Sequence, residues 1–404
     1  MPVAPATGQH SFVWLGTGQS LLDAMLSAIV VARSSVRLEI YMVKDSAIGV
    51  RFREALTAAA QRGVQVRLMA DAVGSFGLSR EYFAGLEAAG GAMRWFNELR
   101  LSSFSFRDHR KLLVVDETEA FVGGCNIAPE YYGDGITAGW RDGGASVRGP
   151  VAVVLTAEFD RQWERATGQR WDSQPLGLRR RAAAHVEHAV EALFIRPGFG
   201  GNPLNDALRQ DLAGARDVAI TAAYFLPSRR LRHRLAQVVG RGARVRLLLA
   251  GENDVPFIQL ATHSLYRRLM NTGIAIWEYQ PQILHAKVLV IDDIVYVGSA
   301  NLDPRSLRIN FEIMLRIRDA AFATAAREQF ESDVTERATL VTREALQRDH
   351  SWWKRLEQSL AYWLFARLDS ELAAVKLQEW RRRKDRLLQS VKGVRVRVRR
   401  ANKR

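Results

Sequence analysis

Two stretches of this sequence share one pattern, and together they decide the fold. The first is His109-Arg110-Lys111-Leu112-Leu113-Val114-Val115-Asp116, and the second is His285-Ala286-Lys287-Val288-Leu289-Val290-Ile291-Asp292. Each stretch continues through a turn into another apolar run, which ends in small residues followed by an asparagine, at Asn126 and Asn301. Because the same residue types recur at the same spacing twice in one chain, the pattern indicates an internal duplication.

The duplication extends upstream of the motif. Residues 62–68 and 241–247 both begin Arg-Gly and continue as an apolar run, and each follows a helical pattern that itself follows a strand. Each half is therefore predicted to run strand, helix, strand, intervening helix and motif hairpin. Strand–helix–strand units give parallel pairs and hairpins give antiparallel pairs, so the predicted class is α/β with mixed sheets.

The repeat also sets the predicted domain boundaries. We expect an N-terminal half over residues 1–175, a linker with a short helix over 176–203, and a C-terminal half over 204–345. The linker prediction depends on its mixture of Pro, Gly and basic residues. Residues 346–404 are predicted to form an aromatic amphipathic helix followed by a basic tail.

The motif residues have the chemistry of a phosphate site. Residues two apart on a strand point to the same face, so each motif projects a histidine and a lysine together. An imidazole can act as nucleophile, base or acid, a nearby ammonium neutralises an anionic oxygen, and the amides of Asn126 and Asn301 can bind phosphate oxygens. The candidate catalytic set is His109, Lys111, Asp116, His285, Lys287 and Asp292. Asp116 and Asp292 are its weakest members, because a seven-residue separation takes them off the His/Lys face and suggests a turn or scaffold role.

Two copies in one chain suggest a pseudo-two-fold site in which both histidines face one phosphorus. That arrangement suits an in-line double displacement, with one imidazole as nucleophile and the other as acid and then base. Each histidine also needs a partner on its other ring nitrogen. Asp142 lies 33 residues after His109, and Glu312 lies 27 residues after His285. Their matched placement makes these two carboxylates the candidates for orienting the histidines, although isolated acids are surface residues by default.

No cofactor or metal is expected. The single cysteine, Cys125, excludes an internal disulfide and any multi-cysteine metal site, and is consistent with a reducing compartment. His185 and His188 have helical spacing, but with one adjacent acid, Glu187, a solvated helix face is the stronger interpretation.

The charge is concentrated at one end of the chain. The formal net charge is +15, and residues 351–404, with 16 Lys and Arg against five Asp and Glu, supply +11 of it. A nuclease should instead line its cleft with cations and stacking aromatics, so nucleic acid is not the expected partner. The tail follows an aromatic stretch that includes Trp352, Trp353 and Trp363, and both suit the surface of an anionic membrane; packing of that stretch against the catalytic body is the alternative.

These residues resemble the duplicated motif of the phospholipase D superfamily, and the surrounding sequence is similar to bacterial cardiolipin synthases up to about residue 365. The stretches that carry the resemblance are residues 107–111, 123–126, 140–142, 284–287, 298–306 and 310–312. The resemblance implies two α/β/α halves that meet at one active site. It also implies His109 as nucleophile, His285 as acid and base, and phosphatidyl transfer between two phosphatidylglycerols with release of glycerol.

Related activities stay open at the sequence level. The alternatives are a hydrolytic phospholipase D or a broad transphosphatidylase, and, in a different class, a nucleic-acid phosphodiesterase. Neither a secretory signal nor a bilayer-spanning run is predicted, since the most apolar stretch, residues 21–32, is short and contains Asp23. We therefore expect a peripheral protein on the cytoplasmic side of the cell membrane, with an anionic phospholipid as substrate.

Overall fold

The computed structural model describes residues 10–97, 106–166, 189–198 and 201–348. Its first half is a seven-stranded mixed sheet with strand order β1-β7-β6-β5-β2-β3-β4, in which β2, β3 and β4 are parallel. The strands are β1 (Ser11–Leu15), β2 (Ser35–Ile40), β3 (Gln65–Asp71), β4 (Ala92–Phe96), β5 (Lys111–Val115), β6 (Glu119–Gly123) and β7 (Gly144–Arg148). The helices are α1 (Gly18–Val31), α2 (Ala47–Gln61), α3 (Ala84–Ala88) and α4 (Val151–Ala166), with short 3₁₀ turns at Arg80–Phe83 and Pro129–Tyr131.

The second half repeats this plan in an eight-stranded mixed sheet of order β15-β11-β10-β9-β12-β13-β14-β8. Its strands are β8 (Val190–Ile195), β9 (Asp217–Ala222), β10 (Arg244–Ala250), β11 (Ala275–Tyr279), β12 (Lys287–Ile291), β13 (Ile294–Gly298), β14 (Glu312–Arg318) and β15 (Ala338–Leu340). Its helices are α5 (Pro203–Asp211), α6 (Arg229–Gly240), α7 (Pro256–Met270), α8 (Pro304–Arg308), α9 (Ala320–Arg337) and α10 (Arg343–Arg348). The duplicated α/β fold with mixed sheets is thus confirmed.

Local sequence explains the elements that precede the motif. In α1, apolar residues at helical spacing, including Leu22 and Ile29, are buried, and the Thr17 hydroxyl caps the helix by accepting from the Ser20 amide at 3.0 Å. The following strand β2 is buried along its length and joins β3 in parallel through α2. This confirms residues 21–32 as a core helix and the predicted strand–helix–strand order.

The linker prediction needs a correction. Residues 190–195, inside the predicted linker 176–203, form strand β8, which pairs antiparallel with β14. The strand β8 stands in the second half where β1, paired with β7, stands in the first. The second repeat therefore begins at this strand, because the outer edge of β14 needs a hydrogen-bonding partner as the edge of β7 does. The linker residues 176–188 and the tail residues 349–404 lie outside the described residues.

The two halves share a hydrophobic core. One cluster fills the first half beneath α1 and α2, and a second fills the second half beneath α6 and α7. A third cluster joins side chains of both sheets, including Val122 of β6 and Val297 of β13, with Phe159 of α4 and Phe330 of α9. This shared core packs one face of the first sheet against one face of the second, with β6 and β7 in contact with β13. Within the described ranges, no helix has the length and apolar character needed to cross a membrane.

Candidate active site

Main-chain hydrogen bonds tie each motif to the opposite half. The His109 amide donates to the Phe311 carbonyl at 3.0 Å, and the Phe311 amide donates to the Arg107 carbonyl at 2.9 Å. In the same way, the Arg141 amide donates to the Ile283 carbonyl at 2.8 Å, and the His285 amide donates to the Arg141 carbonyl at 2.8 Å. The residues just before β5 and β12 are therefore placed by contacts across the interface between the halves.

Each histidine is paired with a carboxylate from the other half. His109 Nδ1 lies 3.0 Å from Glu312 Oε1, and His285 Nδ1 lies 2.6 Å from Asp142 Oδ2. An ionised carboxylate only accepts hydrogen bonds, so the contact with Glu312 favours the ring proton of His109 on Nδ1 and leaves its Nε2 with a lone pair. Nδ1 of His285 lies 2.7 Å from Lys287 Nζ as well as near Asp142, so two groups compete for that nitrogen. The structure thus brings together the two predicted histidines and the two predicted carboxylates, but in crossed pairs that the spacing did not predict.

The two carboxylates are held differently. Glu312 accepts from the Ser299 hydroxyl at 2.6 Å and from the Asn310 amide at 3.2 Å, besides its contact with His109. Asp142 accepts from the Gly143 amide at 2.8 Å. At the position that corresponds to Ser299 the first half has Gly124, where a Cβ atom would overlap the Asp142 carboxylate. The glycine is therefore required by the close approach of Asp142.

Both lysines are buried against their own histidine. Lys111 Nζ donates to the His109 carbonyl at 2.7 Å, and Lys287 Nζ lies 3.1 Å from His285 Nε2 and also donates to the His285 carbonyl. The pKa of Lys111 is lowered to about 7, mainly by burial; Glu312 opposes this effect and Lys287 adds to it. Burial likewise lowers the pKa of Lys287. An anion bound between these ammonium groups would remove much of that penalty.

Burial favours the neutral form of both imidazoles. Burial lowers the pKa of His109, Glu312 opposes this effect, and Lys111 adds to it. Burial, followed by repulsion from Lys287, lowers the pKa of His285 well below its ordinary value. Burial raises the pKa of the Asp142 carboxyl to about 6, with Lys287 opposing. The two histidines and the two lysines therefore act on one another electrostatically, as residues of one site do.

Asn126 and Asn301 follow the ends of β6 and β13, as predicted, and both are buried. Their side-chain oxygens have no hydrogen-bond partner within the described residues. An amide oxygen only accepts hydrogen bonds, so the side-chain N–H groups of these two residues are the donors that could bind phosphate oxygens.

The two motif aspartates are outside this site, which corrects their place in the catalytic set. Asp116 and Asp292 directly follow β5 and β12, at the ends of these strands away from the histidines, and have φ values of 52° and 48°, in the left-handed region. Asp116 accepts from the amides of Ser34 and Ser35 at 2.7 and 2.9 Å, and Asp292 accepts from the Asp217 amide at 2.9 Å. Their interpretation as turn residues is confirmed.

Sequence reasoning missed several residues around the histidines. The Tyr41 ring lies 4.8 Å from the His109 ring, and the Trp140 and Tyr131 rings lie 5.4 and 5.1 Å from the His285 ring. Tyr224 also faces His285 and donates to Asp254 at 2.8 Å. The available signal was positional, since Tyr41 and Tyr224 follow equivalent strands of the two repeats.

Potential metal ligands do not form a cluster in the part of the chain that the structure describes. Among the described residues there is no group of three or more His, Cys, Asp or Glu side chains that could hold a metal ion. The predicted solvated pair His185 and His188 lies outside the described residues.

Comparisons with known proteins agree with the duplication. A family model described as the phospholipase D-like domain of cardiolipin synthase matches residues 25–135 and 208–334. Cardiolipin synthase B of Salmonella typhi is 31% identical over 367 residues, which cover 86% of this chain and 86% of that protein. Cardiolipin synthase A of Pseudomonas aeruginosa is 33% identical over 350 residues, covering 83% of this chain and 69% of that protein.

Solved structures show the same fold at lower sequence similarity. Phosphatidylserine synthase of Haemophilus influenzae superimposes with a TM-score of 0.67 and 14% identity, covering 90% of this chain and 94% of that chain. Polyphosphate kinase of Porphyromonas gingivalis superimposes with a TM-score of 0.56 and 13% identity, covering 85% of this chain and 51% of that chain.

Proposed function

The chain belongs to the cardiolipin synthase family of phospholipase D-like proteins, and from this premise we propose that it joins two phosphatidylglycerols into cardiolipin and releases glycerol. The observation that carries the proposal is the crossed pairing of His109 with Glu312 and of His285 with Asp142, beside two buried lysines. Two oriented imidazoles and two cations are the groups that a double displacement at phosphorus requires.

In the first half-reaction, Nε2 of His109 attacks the phosphorus of the donor lipid. The new N–P bond forms as the P–O bond to the glycerol headgroup breaks, and His285 gives its proton to the departing oxygen. Burial and repulsion from Lys287 lower the pKa of His285, and the negative charge of the bound phosphodiester opposes both, so substrate binding favours the protonated acid. The product of this step is phosphatidyl-His109.

In the second half-reaction, the neutral His285 acts as a base. It accepts the proton of a hydroxyl on the second phosphatidylglycerol, whose oxygen attacks phosphorus and displaces Nε2 of His109. Lys111 and Lys287, with the amides of Asn126 and Asn301, would stabilise the charge on the phosphate oxygens in both steps. Placing the nucleophile in the first motif follows the family pattern.

Burial supports an alcohol rather than water as the acceptor. His285 and both lysines are almost fully buried, and the His109 side chain is 15% exposed. Because the histidines are largely screened from bulk solvent, the covalent intermediate would be protected from hydrolysis while an acceptor lipid enters.

We also place the protein peripherally on the cytoplasmic side of the membrane, where an anionic phospholipid supplies both donor and acceptor. Attachment through residues 351–404 is part of this proposal, and that segment lies outside the described residues. Removal of residues 351–404 should reduce flotation with anionic vesicles, because the segment carries a net +11. Unchanged flotation would contradict the role of the tail.

The proposed activity is tested by incubating the full chain with phosphatidylglycerol vesicles and analysing the lipid products. Cardiolipin with an equal amount of glycerol is expected, and His109→Ala and His285→Ala should each abolish it. His233→Ala, at an exposed position on α6, is the matched control and should retain activity. Phosphatidic acid as the main product would indicate a hydrolase, and cleavage of a DNA phosphodiester without lipid turnover would overturn the proposal.

A further inference from the structure

Two exposed phenylalanines lie at equivalent places in the two repeats: Phe76 is in the loop after β3, and Phe257 is in the first turn of the helix that follows the loop after β10. Phe76 is five residues beyond the end of β3 and is 81% exposed, and Phe257 is seven residues beyond the end of β10 and is 60% exposed. The other exposed large apolar side chains in the described ranges are aliphatic and include Val31. Single exposed apolar residues are ordinary, but a pair that follows the duplication points to a shared role.

The loops after β3 and β10 both begin at the strand ends that lie beside the active site. The end of β2 at Ile40 pairs with Lys111, and the end of β9 at Ala222 pairs with Lys287. The strands β3 and β10 lie parallel to these strands and end on the same side. Moreover, the Asp71 carboxylate at the end of β3 accepts from the Asp108 amide at 2.8 Å, next to His109. The loops are therefore parts of the rim around the site.

The first loop holds Phe76 outward by firm contacts. The preceding residue, Ser75, is buried; its hydroxyl accepts from the Val43 amide at 3.0 Å, and its own amide donates to the Asp71 carbonyl at 2.9 Å. Gly74 packs so closely on Tyr41 that a Cβ atom there would overlap it. Ser75 and Gly74 are therefore fixed against Val43, Asp71 and Tyr41, and this holds Phe76 at the surface.

The second loop presents Phe257 in an equivalent way. The side-chain amide of Asn253 donates to the Ala223 carbonyl at 3.1 Å, and the Tyr224 hydroxyl donates to the Asp254 carboxylate at 2.8 Å. Phe257 then lies in the first turn of α7, directly before the buried Ile258. This loop is therefore braced against the residues that follow β9, as the first is braced against those that follow β2.

We infer that Phe76 and Phe257 insert into the membrane leaflet and set the mouth of the active site against the bilayer. This inference rests on the proposed lipid substrate. The charges on this rim are mixed, since Arg229 and Arg230 at the start of α6 are exposed and so are Glu252 and Asp254. Insertion would therefore depend mainly on apolar burial, and it should resist salt, unlike the electrostatic attraction of a basic tail.

The insertion is tested by labelling the full chain at Phe76→Cys or Phe257→Cys with an environment-sensitive fluorophore. The native Cys125 is buried and should stay unlabelled, which the unchanged chain checks. Val31→Cys is the matched control, because Val31 is 70% exposed and lies two residues before Arg33, whose amide contacts Asp116 at the strand ends away from the histidines. The probe is a vesicle of phosphatidylglycerol and phosphatidylcholine that contains lipid with a nitroxide on the acyl chain.

We expect quenching by the nitroxide at positions 76 and 257, at low and high salt, and none at position 31. Flotation without quenching at positions 76 and 257, or no flotation, would overturn the inference. A fluorescence change that depends on protein concentration in the absence of vesicles would show self-association and would also overturn it. Quenching does not require turnover, so it reports on membrane insertion even if the lipid-product assay shows no cardiolipin synthesis.

A turnover assay gives a second test. In the double variant Phe76→Ser with Phe257→Ser, turnover on vesicles should fall roughly tenfold for each residue, because serine does not bury apolar surface in the bilayer. Turnover of monomeric short-chain phosphatidylglycerol should be unchanged, and Val30→Ser with Val31→Ser should match the parent on both substrates. Equal loss on both substrates would contradict a role at the membrane.

Discussion

Each histidine of the site depends on a carboxylate of the opposite half, His109 on Glu312 and His285 on Asp142. The duplication predicts the histidines, lysines and carboxylates, because each type recurs at matched spacing. The crossed pairing was not predictable, since it arises from how the halves pack and not from spacing within either half. Ser299 and Asn310, which hold Glu312, were missed for a related reason: their counterparts in the first repeat are Gly124 and Trp140, so no repeated polar pattern marks them.

Anion binding should weaken as the pH rises through 7. The pKa of Lys111, lowered to about 7 by burial, means that its charge is present below that pH and lost above it. The affinity of His109→Ala for glycerophosphoglycerol, a soluble diester, is expected to fall about tenfold between pH 6 and pH 8.5 by titration calorimetry. In a chain that also carries Lys111→Arg the decline should largely disappear, because arginine keeps its charge. Equal affinity at both pH values in the first variant would contradict a titrating Lys111.

At the scale of elements, alternating and helical patterns predicted the strands and helices around the motif. The strand β8 was missed because its six residues follow a basic, Pro- and Gly-containing segment, and such a short run does not distinguish a strand from a linker without knowledge of its partner β14. The motif hairpins were predictable from the sequence. Their turn aspartates explain the last position of the motif, because a short acceptor side chain at positive φ accepts from the amide of the first residue of the neighbouring strand, β2 or β9.

The turn aspartates should contribute to stability rather than to catalysis. Burial raises the pKa of Asp116, but hydrogen bonds from the amides of Ser35, Ser34 and Arg33 outweigh it and leave the pKa below its ordinary value. The ionised side chain therefore stabilises the fold above about pH 4, and this stabilisation is lost as the pH falls through the lowered pKa. Asp116→Ala should lower the free energy of unfolding by about 1–3 kcal/mol at pH 7, and by less in acid, in urea titrations.

Asp293→Ala, at an exposed position beside Asp292, is the control and should change stability little. At a temperature where it is folded, Asp116→Ala should keep the turnover of the parent. A loss of turnover comparable with that of His109→Ala would return Asp116 to the catalytic set.

At the scale of the whole molecule, the two halves form one catalytic unit. The shared core contains Val122 and Val297 from facing sheets, and the site takes a histidine and a carboxylate from each half. The duplication and the resemblance both predicted that the halves meet at one site. The sequence did not predict the shared core, because its residues alternate with those of the separate cores along the same strands. Period-two patterns do not reveal which buried face meets the other half.

The described body should unfold in one cooperative transition. Separation of the halves would expose the shared core, so neither half is expected to stay folded alone. Urea titrations followed by far-ultraviolet circular dichroism and by tryptophan fluorescence should give the same midpoint. Two resolved transitions would show that the halves are independent and would weaken the account of a shared site.

The most direct test of the two-histidine account is to map the covalent intermediate. The full chain is mixed with phosphatidylglycerol vesicles, quenched within one turnover in alkaline denaturant, which preserves phosphohistidine, and digested for mass spectrometry. A phosphatidyl group is expected on the peptide that contains His109; it should be absent from His109→Ala and should disappear once the phosphatidylglycerol is consumed. Cardiolipin formation at the parent rate without any such adduct, or an adduct on a residue outside the two motifs, would contradict it.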